Sequence, residues 1–366
     1  MAPPVRGPLR VLYLHGRPGP HPLPARLARG LGADFQYVDF RMRWQDLNRG
    51  RLYTAVSWLV CAATLPNRRK YDVFLVDNLH IPPVVMKLLF LRKNQKIVVH
   101  LASHTLYFMY TNRFSGSVER LHRWALRHYD ALLCEGAMAS DLVHRLLPDG
   151  SPATYETFIG PPAERAEHLV GVKPTLEGRK ILCIASGPGD FRMHYKGLDL
   201  MVDAVAEAVK RDAAIEFNIL GKWDPEIVEA CLARIPEEAR THVHFRGEVS
   251  DVAAWLQDAS LYLQCTRGDA FPTSTLEAMT AGLVPIISEW TGTRQIVREV
   301  DERLVVPLEA DEIASRIAWY FALDPEERVR LSSRSREAVA GYTEEAAVEH
   351  YRRTFATICR DLGLTA

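Results

Sequence analysis

Short apolar runs alternate with stretches of helical periodicity along almost the whole chain. This alternation is typical of β-α-β units and parallel sheets, so the sequence predicts an α/β fold. Six strands are predicted in the first half, at Val11–Leu14, Phe35–Asp39, Val73–Val76, Ile97–Leu101, Ala131–Cys134 and Tyr155–Phe158. Six more are predicted in the second half, at Ile181–Ala185, Ile215–Leu220, Val243–Phe245, Leu261–Gln264, Val284–Ile287 and Leu304–Val306.

A segment rich in Pro, Gly and charged residues, at about 161–178, separates the two strand series. This arrangement predicts two doubly wound sheets joined by a linker. We predict an N-terminal domain over residues 1–165, a C-terminal domain over 166–341 and a terminal helical segment over 342–366. Because open parallel sheets bind ligands at the carboxyl ends of their strands, a ligand is expected between the two domains.

Length and charge agree with a two-domain globular protein. The 366 residues exceed what one hydrophobic core normally covers. Lys plus Arg and Asp plus Glu number 45 each, so no net charge favours nucleic acid as a partner. Any site for an anion must therefore be local.

Cysteine usage and the N-terminal residues predict a cytoplasmic location. The six cysteines form no Cys-x-x-Cys pair, which favours reduced thiols over zinc ligands or disulfides. Three prolines and one arginine lie within Met1–Leu9, where a secretory signal needs an apolar run. The apolar stretches Leu52–Leu65 and Val84–Leu91 are shorter than the about 20 residues that span a bilayer. Both fit buried helices, and both equally fit a surface that touches the inner face of a membrane.

The segment 266–297 carries the most informative pattern. A loop containing Gly and Pro leads into a helix that is predicted to begin at Thr273 or Ser274. Backbone N–H groups at a helix N-terminus suit a diphosphate or a polarised sugar hydroxyl. Asp269 precedes this helix and Glu277 is predicted in its first turn, so both carboxylates can face one cleft. Two structural alternatives remain: a capping box between Ser274 and Glu277, and a turn role for Asp269.

This pattern resembles the donor-site motif of glycosyltransferase family 4, in which two acids enclose seven residues. Here Asp269 is followed by seven residues and then by Glu277-Ala278-Met279, with Gly282 before an apolar strand. The resemblance implies that Asp269 contacts hydroxyls of the donor sugar and that Glu277 holds the ribose. The family usually has Glu first, so the shorter Asp269 requires the sugar or the loop to lie about one methylene closer.

Four residues between the two acids are further implied donor contacts. Phe271-Pro272-Thr273-Ser274 replaces a commoner Phe-Gly run whose amides meet the sugar and phosphate. Since Pro272 has no N–H, we expect the amides of Thr273 and Ser274 to contribute most.

Two other segments of the second half resemble the same family. Residues 190–199 resemble its Lys-Gly motif, which implies that Lys196 meets the donor diphosphate. Arg192 is a second candidate cation, although Phe191 stands at the position where the family usually has arginine. Without the resemblance, Lys196 would be interpreted as a solvated lysine before a helix.

The loop after Phe245 resembles the family's nucleotide-base loop, which implies that Gly247 and Val249 lie near the base. The alternative is an ordinary glycine turn at the end of a strand.

The first half resembles the family more weakly. Gly19 matches the second glycine of a Gly-Gly turn near the donor phosphate, although Pro18 replaces the first. His104 follows a predicted strand and is our choice for the histidine near the reacting sugar, with His100 as competitor. The aromatic stretch from Tyr107 to Tyr110 fits an acceptor wall or core packing.

The resemblance implies a GT-B fold, with two Rossmann-like domains facing an interdomain cleft. It implies a retaining hexosyltransferase that uses a UDP or GDP sugar and a glycan, lipid or small-molecule acceptor. No Asp-x-Asp pair occurs in a loop, so we predict no metal, and no cofactor beyond the nucleotide sugar substrate. The alternatives are a non-catalytic GT-B module that binds nucleotide sugars, and a GT-B phosphorylase or epimerase.

Overall fold

The computed structural model describes residues 9–16, 19, 22–38, 68–102, 104–111, 113, 116–187 and 189–364. The chain divides into two compact units, each described below by itself. The N-terminal unit comprises Met1–Ile159 and Ala347–Ala366, and the C-terminal unit comprises Gly160–Ala346.

The N-terminal unit contains a six-stranded parallel sheet in the order β2-β1-β3-β4-β5-β6. Its strands are β1 (Val11–His15), β2 (Asp34–Tyr37), β3 (Val73–Asp77), β4 (Lys96–Leu101), β5 (Ala131–Glu135) and β6 (Ala153–Thr157). The helices described between them are α1 (Pro22–Gly30), α2 (Pro82–Phe90), α3 (His104–Tyr110), α4 (Gly116–His128) and α5 (Gly136–Leu146). A 3₁₀ turn covers Arg68–Lys70.

The C-terminal unit contains a second six-stranded parallel sheet, in the order β12-β11-β10-β7-β8-β9. Its strands are β7 (Lys180–Ile184), β8 (Glu216–Leu220), β9 (Val243–Gly247), β10 (Leu261–Gln264), β11 (Pro285–Ser288) and β12 (Val305–Val306). Its helices begin with α6 (Ala163–Val170), α7 (Gly189–Lys196), α8 (Leu198–Arg211), α9 (Pro225–Ala233), α10 (Glu237–Arg240) and α11 (Val252–Asp258). They continue with α12 (Thr273–Thr280), α13 (Arg294–Val300), α14 (Ala310–Ala322), α15 (Pro325–Val339) and α16 (Glu344–Asp361).

Helix α16 begins in the C-terminal unit and belongs to the N-terminal unit from Ala347 onward. There it covers one face of the first sheet, because its apolar positions recur at helical spacing and point the same way. Tyr351, Phe355 and Ile358 pack in one cluster with Tyr13 and other core residues of the strands. Burying each such side chain contributes about 1.5–3 kcal/mol.

The predicted α/β fold class with two Rossmann-like sheets is confirmed. Each of the twelve predicted strands corresponds to an observed one, with ends that differ by a residue or two. The predicted helix at Leu52–Leu65 lies outside the described residues, as does Asp39 at the end of a predicted strand. The sequence predicts a domain boundary after residue 165, and in the structure the C-terminal unit begins after Ile159.

Each sheet contains a point where the strand order reverses. In the C-terminal unit this point lies between β7 and β10, which pair directly. The connections leaving these two strands run in opposite directions and leave a crevice at the carboxyl edge, where open α/β sheets bind ligands. Lys196 follows β7 and Asp269 follows β10.

Candidate functional site

Lys196 and Asp269 form an ion pair at this crevice. The Lys196 ammonium lies 2.5 Å from Oδ2 of Asp269. Their side chains are 16% and 14% exposed, so the pair is sheltered but reachable from solvent. Two residues that sequence analysis assigned to one donor site are therefore in contact, although 73 positions separate them.

Gly197 allows this contact to form. It has a φ of 68°, and a Cβ at this position would lie 1.8 Å from the carbonyl oxygen of Cys265. Only glycine fits so close an approach with a left-handed backbone. The amide of Arg267 donates to the carbonyl of Tyr195 at 2.8 Å, which holds the end of α7 beside the loop after β10.

A second ion pair reinforces the same junction. Arg267 donates to Asp199 at 2.6 Å and to the carbonyl of His194 at 2.8 Å. Burial raises the pKa of Asp199, but hydrogen bonds from His194 and Arg267 outweigh it and lower the pKa to about 2. Asp199 therefore stays ionised at any physiological pH. No sequence motif indicates this role for Arg267.

The loop that carries Asp269 is held on its other side by residues that follow β11. The amide of Gly292 donates to the carbonyl of Asp269 at 2.8 Å, and that of Gly268 donates to Trp290 at 3.1 Å. A Cβ at Gly292 would lie 1.4 Å from the carbonyl oxygen of Ala270. The loop is thus fixed at both flanks.

Three fully buried hydroxyl groups lie beneath this loop and form what we call the hydroxyl cluster: Thr266, Ser288 and Thr291. The Thr291 hydroxyl lies 3.0 Å from that of Thr266 and 3.0 Å from that of Ser288. It also donates to the carbonyl of Gln264 at 3.2 Å. Such a satisfied buried network rigidifies the backbone around it.

Helix α12 begins at Thr273, one of the two predicted starts. Its N-cap is Pro272, which makes no side-chain cap. The Ser274 hydroxyl donates instead to the side chain of Gln264 at 3.0 Å, so the capping-box alternative is wrong. The amides of Thr273 and Ser274 precede the first intrahelical bond and belong to partly exposed residues.

Glu277 lies in the second turn of α12, which corrects the first-turn prediction. Only 2% of the residue is exposed. Nη1 of Arg165, on α6, reaches both carboxylate oxygens at 3.2 and 3.3 Å. Burial raises the pKa of Glu277, and the charge of Arg165 opposes that rise. Arg165 lies within the predicted linker, and no sequence motif indicates this role for it.

The other predicted donor contacts of this half have different surroundings. Phe271 is only 8% exposed, and its ring centroid lies 6.2 Å from that of Tyr342. The backbone of Phe271, rather than its ring, is therefore the part available to a donor. The Arg192 guanidinium lies over the Tyr195 ring and donates to the carbonyl of Ser186 at 3.4 Å.

Gly247 ends β9 with a φ of 70° and has open space where a side chain would be. It lines a cavity of about 650 Å³ together with Gly221, Trp223 and Phe245. Val249 is partly buried against the core instead. The cavity is wide enough for a planar heterocycle, because ligand pockets span about 300–1,000 Å³.

The predicted residues of the N-terminal unit are less completely described. Gly19 is exposed with a φ of 77°. His104 begins α3, and its side chain lies outside the described part. His100 is 1% exposed, with Nε2 3.2 Å from Glu135 and its ring 5.5 Å from that of Tyr351. His100 therefore packs inside this unit, and the assignment of His104 stays a prediction.

The aromatic stretch in α3 belongs mainly to the core. Tyr107, Phe108 and Met109 are all at most 6% exposed, so core packing is right for them and the acceptor-wall alternative is wrong. Tyr110 is 37% exposed and lies beneath the guanidinium of Arg145.

Over the described ranges, no cluster of three or more His, Cys, Asp or Glu side chains could hold a metal ion. Within the same ranges, no helix combines the length and apolarity needed to cross a membrane. The five described cysteines are buried free thiols.

Comparisons with known proteins point to one enzyme class. Residues 179–322 match the family model described as "Glycosyl transferases group 1". The lipopolysaccharide core biosynthesis mannosyltransferase LpcC of Rhizobium leguminosarum bv. viciae is 24% identical over 279 residues, which cover 72% of each chain. The phosphatidyl-myo-inositol mannosyltransferase of Mycobacterium tuberculosis is 26% identical over 140 residues, which cover 37% of this chain and 35% of that enzyme.

Among solved structures, the apo structure of OtsA superposes with a TM-score of 0.71 at 13% identity, covering 98% of this chain and all of the other. This likeness shows the GT-B fold. With the family match and the mannosyltransferase relatives, it supports a glycosyltransferase of the GT-B type. The matched segment includes both Lys196 and Asp269.

Proposed function

We propose that this chain is a retaining, metal-independent glycosyltransferase that moves a hexose-type sugar from a nucleoside diphosphate sugar to an acceptor hydroxyl. The acceptor is a glycan, a lipid or a small molecule. The observation that carries the proposal is the contact between Lys196 and Asp269 at the reversal of strand order, inside the matched segment.

The proposed donor site combines a cation, a helix N-terminus and two acids. The donor diphosphate binds Lys196 and the amides of Thr273 and Ser274, where the α12 dipole favours negative charge. Binding draws Lys196 toward the phosphate and frees Asp269 to accept hydrogen bonds from sugar hydroxyls. Glu277 accepts from the ribose, and the base enters the cavity beside Gly247.

The proposed reaction needs no metal ion. The bond between the anomeric carbon and the diphosphate oxygen breaks while the acceptor oxygen bonds to the same face of the sugar. The acceptor's proton passes to the departing phosphate, so the products are the glycoside and the nucleoside diphosphate. Lys196 and the helix N-terminus stabilise the charge that grows on the leaving group.

Nucleotide-activated mannose is the first donor to test, because both curated relatives described above are named mannosyltransferases.

A lipid-linked acceptor and peripheral membrane contact are favoured by one surface of the N-terminal unit. Leu88 and Leu89, at the end of α2, are 53% and 59% exposed, and exposed Arg92 and Lys93 follow them. Apolar side chains beside cations suit the surface of an anionic bilayer.

A screen of nucleoside diphosphates and their sugars tests the proposal through the melting temperature, which a ligand of the native state raises. We expect stabilisation by one nucleotide, unchanged by EDTA, and a product with the donor's anomeric configuration in NMR spectra. Binding without turnover of any donor would favour the non-catalytic module. An inverted product would overturn retention, and loss of turnover in EDTA would overturn metal independence.

A further inference from the structure

The Arg165–Glu277 pair joins an exposed cation to a buried acid. The Arg165 side chain is 54% exposed, whereas that of Glu277 is 3% exposed. A buried carboxylate is costly unless it is paired and hydrogen-bonded. Arg165 forms an ion pair with Glu277, and 112 positions separate the two residues in sequence.

We infer that Arg165 is a positioning residue for the donor, which fixes the Glu277 carboxylate so that it accepts both ribose hydroxyls. This inference rests on the proposed function, because it takes the donor to be a ribonucleotide. Arg165, which lies outside the donor motif, would then help the site to distinguish ribose from sugars that lack these two hydroxyls.

The geometry leaves Glu277 with free accepting capacity. A carboxylate has about four lone-pair directions. One nitrogen of Arg165 lies 3.2 Å from one oxygen and 3.3 Å from the other, so it occupies about one direction on each. About two accepting directions therefore remain, as many as the two neighbouring hydroxyls of a ribose require.

Helices α6 and α12 are clamped side by side, which delivers Arg165 to Glu277. Arg336, on α15, donates from Nη1 to the carbonyls of Val170 at 3.2 Å and Thr280 at 2.6 Å. These carbonyls lie at the ends of α6 and α12, where a cation stabilises the helix dipole. Nη2 donates to the carbonyl of Ala281 at 2.6 Å.

Glycine makes room for this clamp. At Gly282 the φ is 89°, and a Cβ would lie 2.7 Å from the Arg336 guanidinium. At the other end of α6, the amide of Ala163 donates to the Glu344 carboxylate at 2.7 Å. Both ends of α6 are therefore held, and Arg165 lies on a fixed helix.

Removing the guanidinium should change how the site responds to pH. Burial raises the pKa of Glu277 and Arg165 lowers it. Without Arg165 only the effect of burial remains, so the pKa rises further and the carboxyl becomes neutral at a higher pH. A neutral carboxyl accepts fewer hydrogen bonds than a carboxylate. As the pH is lowered, the Arg165 variant should therefore lose ribose recognition at a higher pH than the wild type does.

The test is calorimetric binding of UDP and GDP, and of their 2′,3′-dideoxy analogues, between pH 6 and pH 8. The wild type should prefer the ribonucleotide by about 10- to 100-fold, the range expected for hydrogen bonds to a charged group. Arg165→Ala should bring this ratio close to one, most strongly at pH 6, while affinity for the dideoxy analogue stays unchanged. Arg165→Lys should restore most of the preference.

Arg234→Ala is the matched control, because Arg234 is also about half exposed and pairs with a carboxylate, Asp203, of the same unit. It should behave as the wild type. The unchanged affinity for the dideoxy analogue also reports that the Arg165→Ala fold is intact.

Two results would overturn the inference in different ways. A wild-type ribose preference that persists in Arg165→Ala at every pH would overturn the inference alone. A wild type that binds no nucleoside diphosphate would overturn both the proposed function and the inference.

Discussion

Both sheets contain a reversal of strand order, but their carboxyl edges differ in what lies on them. In the C-terminal unit, Lys196 ends helix α7 and Asp269 lies in the loop after β10, and their side chains are 16% and 14% exposed. In the N-terminal unit, His100 lies within β4 and Glu135 ends β5, and both are almost fully buried. The first arrangement leaves charges available to a ligand, whereas the second encloses its polar groups in the interior of the unit.

Helix α16 makes the difference, because it covers the polar groups of the first sheet. Tyr351 is fully buried beside His100 and in the same cluster as Tyr13. Burial raises the pKa of both tyrosines, and the nearby charges of Asp77 and Glu135 raise it further. Both hydroxyls therefore stay protonated, so these tyrosines do not titrate near neutral pH.

The largest effect should follow from Tyr351→Ala, which removes the aromatic ring from the N-terminal unit. Deleting a buried aromatic side chain costs about 3–5 kcal/mol, so the free energy of unfolding should fall by that amount. Tyr351→Phe keeps the ring and should lose far less. Urea denaturation measures both. Equal losses for the two variants would show that the hydroxyl, rather than packing, holds α16 in place.

Lys196→Ala tests the accessible edge and should affect binding rather than folding. We expect kcat/KM to fall by about 10²–10³-fold, as when one donor to a developing oxyanion is removed. Lys180→Ala is the control, because Lys180 starts β7 at the opposite edge and pairs with exposed Asp258. Nucleotide affinity and turnover, measured for both variants, test whether Lys196 contributes to donor binding. If the two variants bind the donor equally well, the pocket lies elsewhere.

Sequence patterns predicted the strands, and the resemblance assigned Lys196 and Asp269 to one donor site, but neither predicted their ion pair. Alternation of apolar runs and helical periodicity marks every β-α-β unit, and buried strands such as β3 leave an unmistakable apolar run. The resemblance brought Lys196 and Asp269 together because each belongs to a short local motif. Neither motif depends on contacts with residues that are distant in sequence.

The supporting residues could not be predicted in the same way. Arg165 reaches Glu277 from a segment interpreted as a linker, and Arg267 reaches Asp199 across 68 positions. An arginine or a threonine carries no local signal of its partner, which only the packing of helices decides. The two alternatives for Tyr107 and Phe108 stayed open for a similar reason, since an aromatic run fits a wall and a core equally well.

The smallest effect should come from Thr291→Val, which keeps the shape of the side chain but removes a hydroxyl from the hydroxyl cluster. Thr266 and Ser288 each lose a buried partner, at a cost of about 1–3 kcal/mol in the free energy of unfolding. Thr280→Val is the control, because the Thr280 hydroxyl donates only within its own helix, to Leu276 at 2.8 Å.

Thr291 also pairs with Asp269 through an isolated parallel bridge, so loosening it should reach the donor site. We expect a several-fold rise in the donor KM with little change in kcat, because the proposed bonds from Asp269 to the bound sugar would hold the loop in place during the chemical step. Melting curves and donor titrations on the same samples measure both effects. Lower stability with an unchanged KM would mean that the neighbouring glycine contacts alone fix Asp269, and that the hydroxyl cluster serves the C-terminal core instead of its exposed edge.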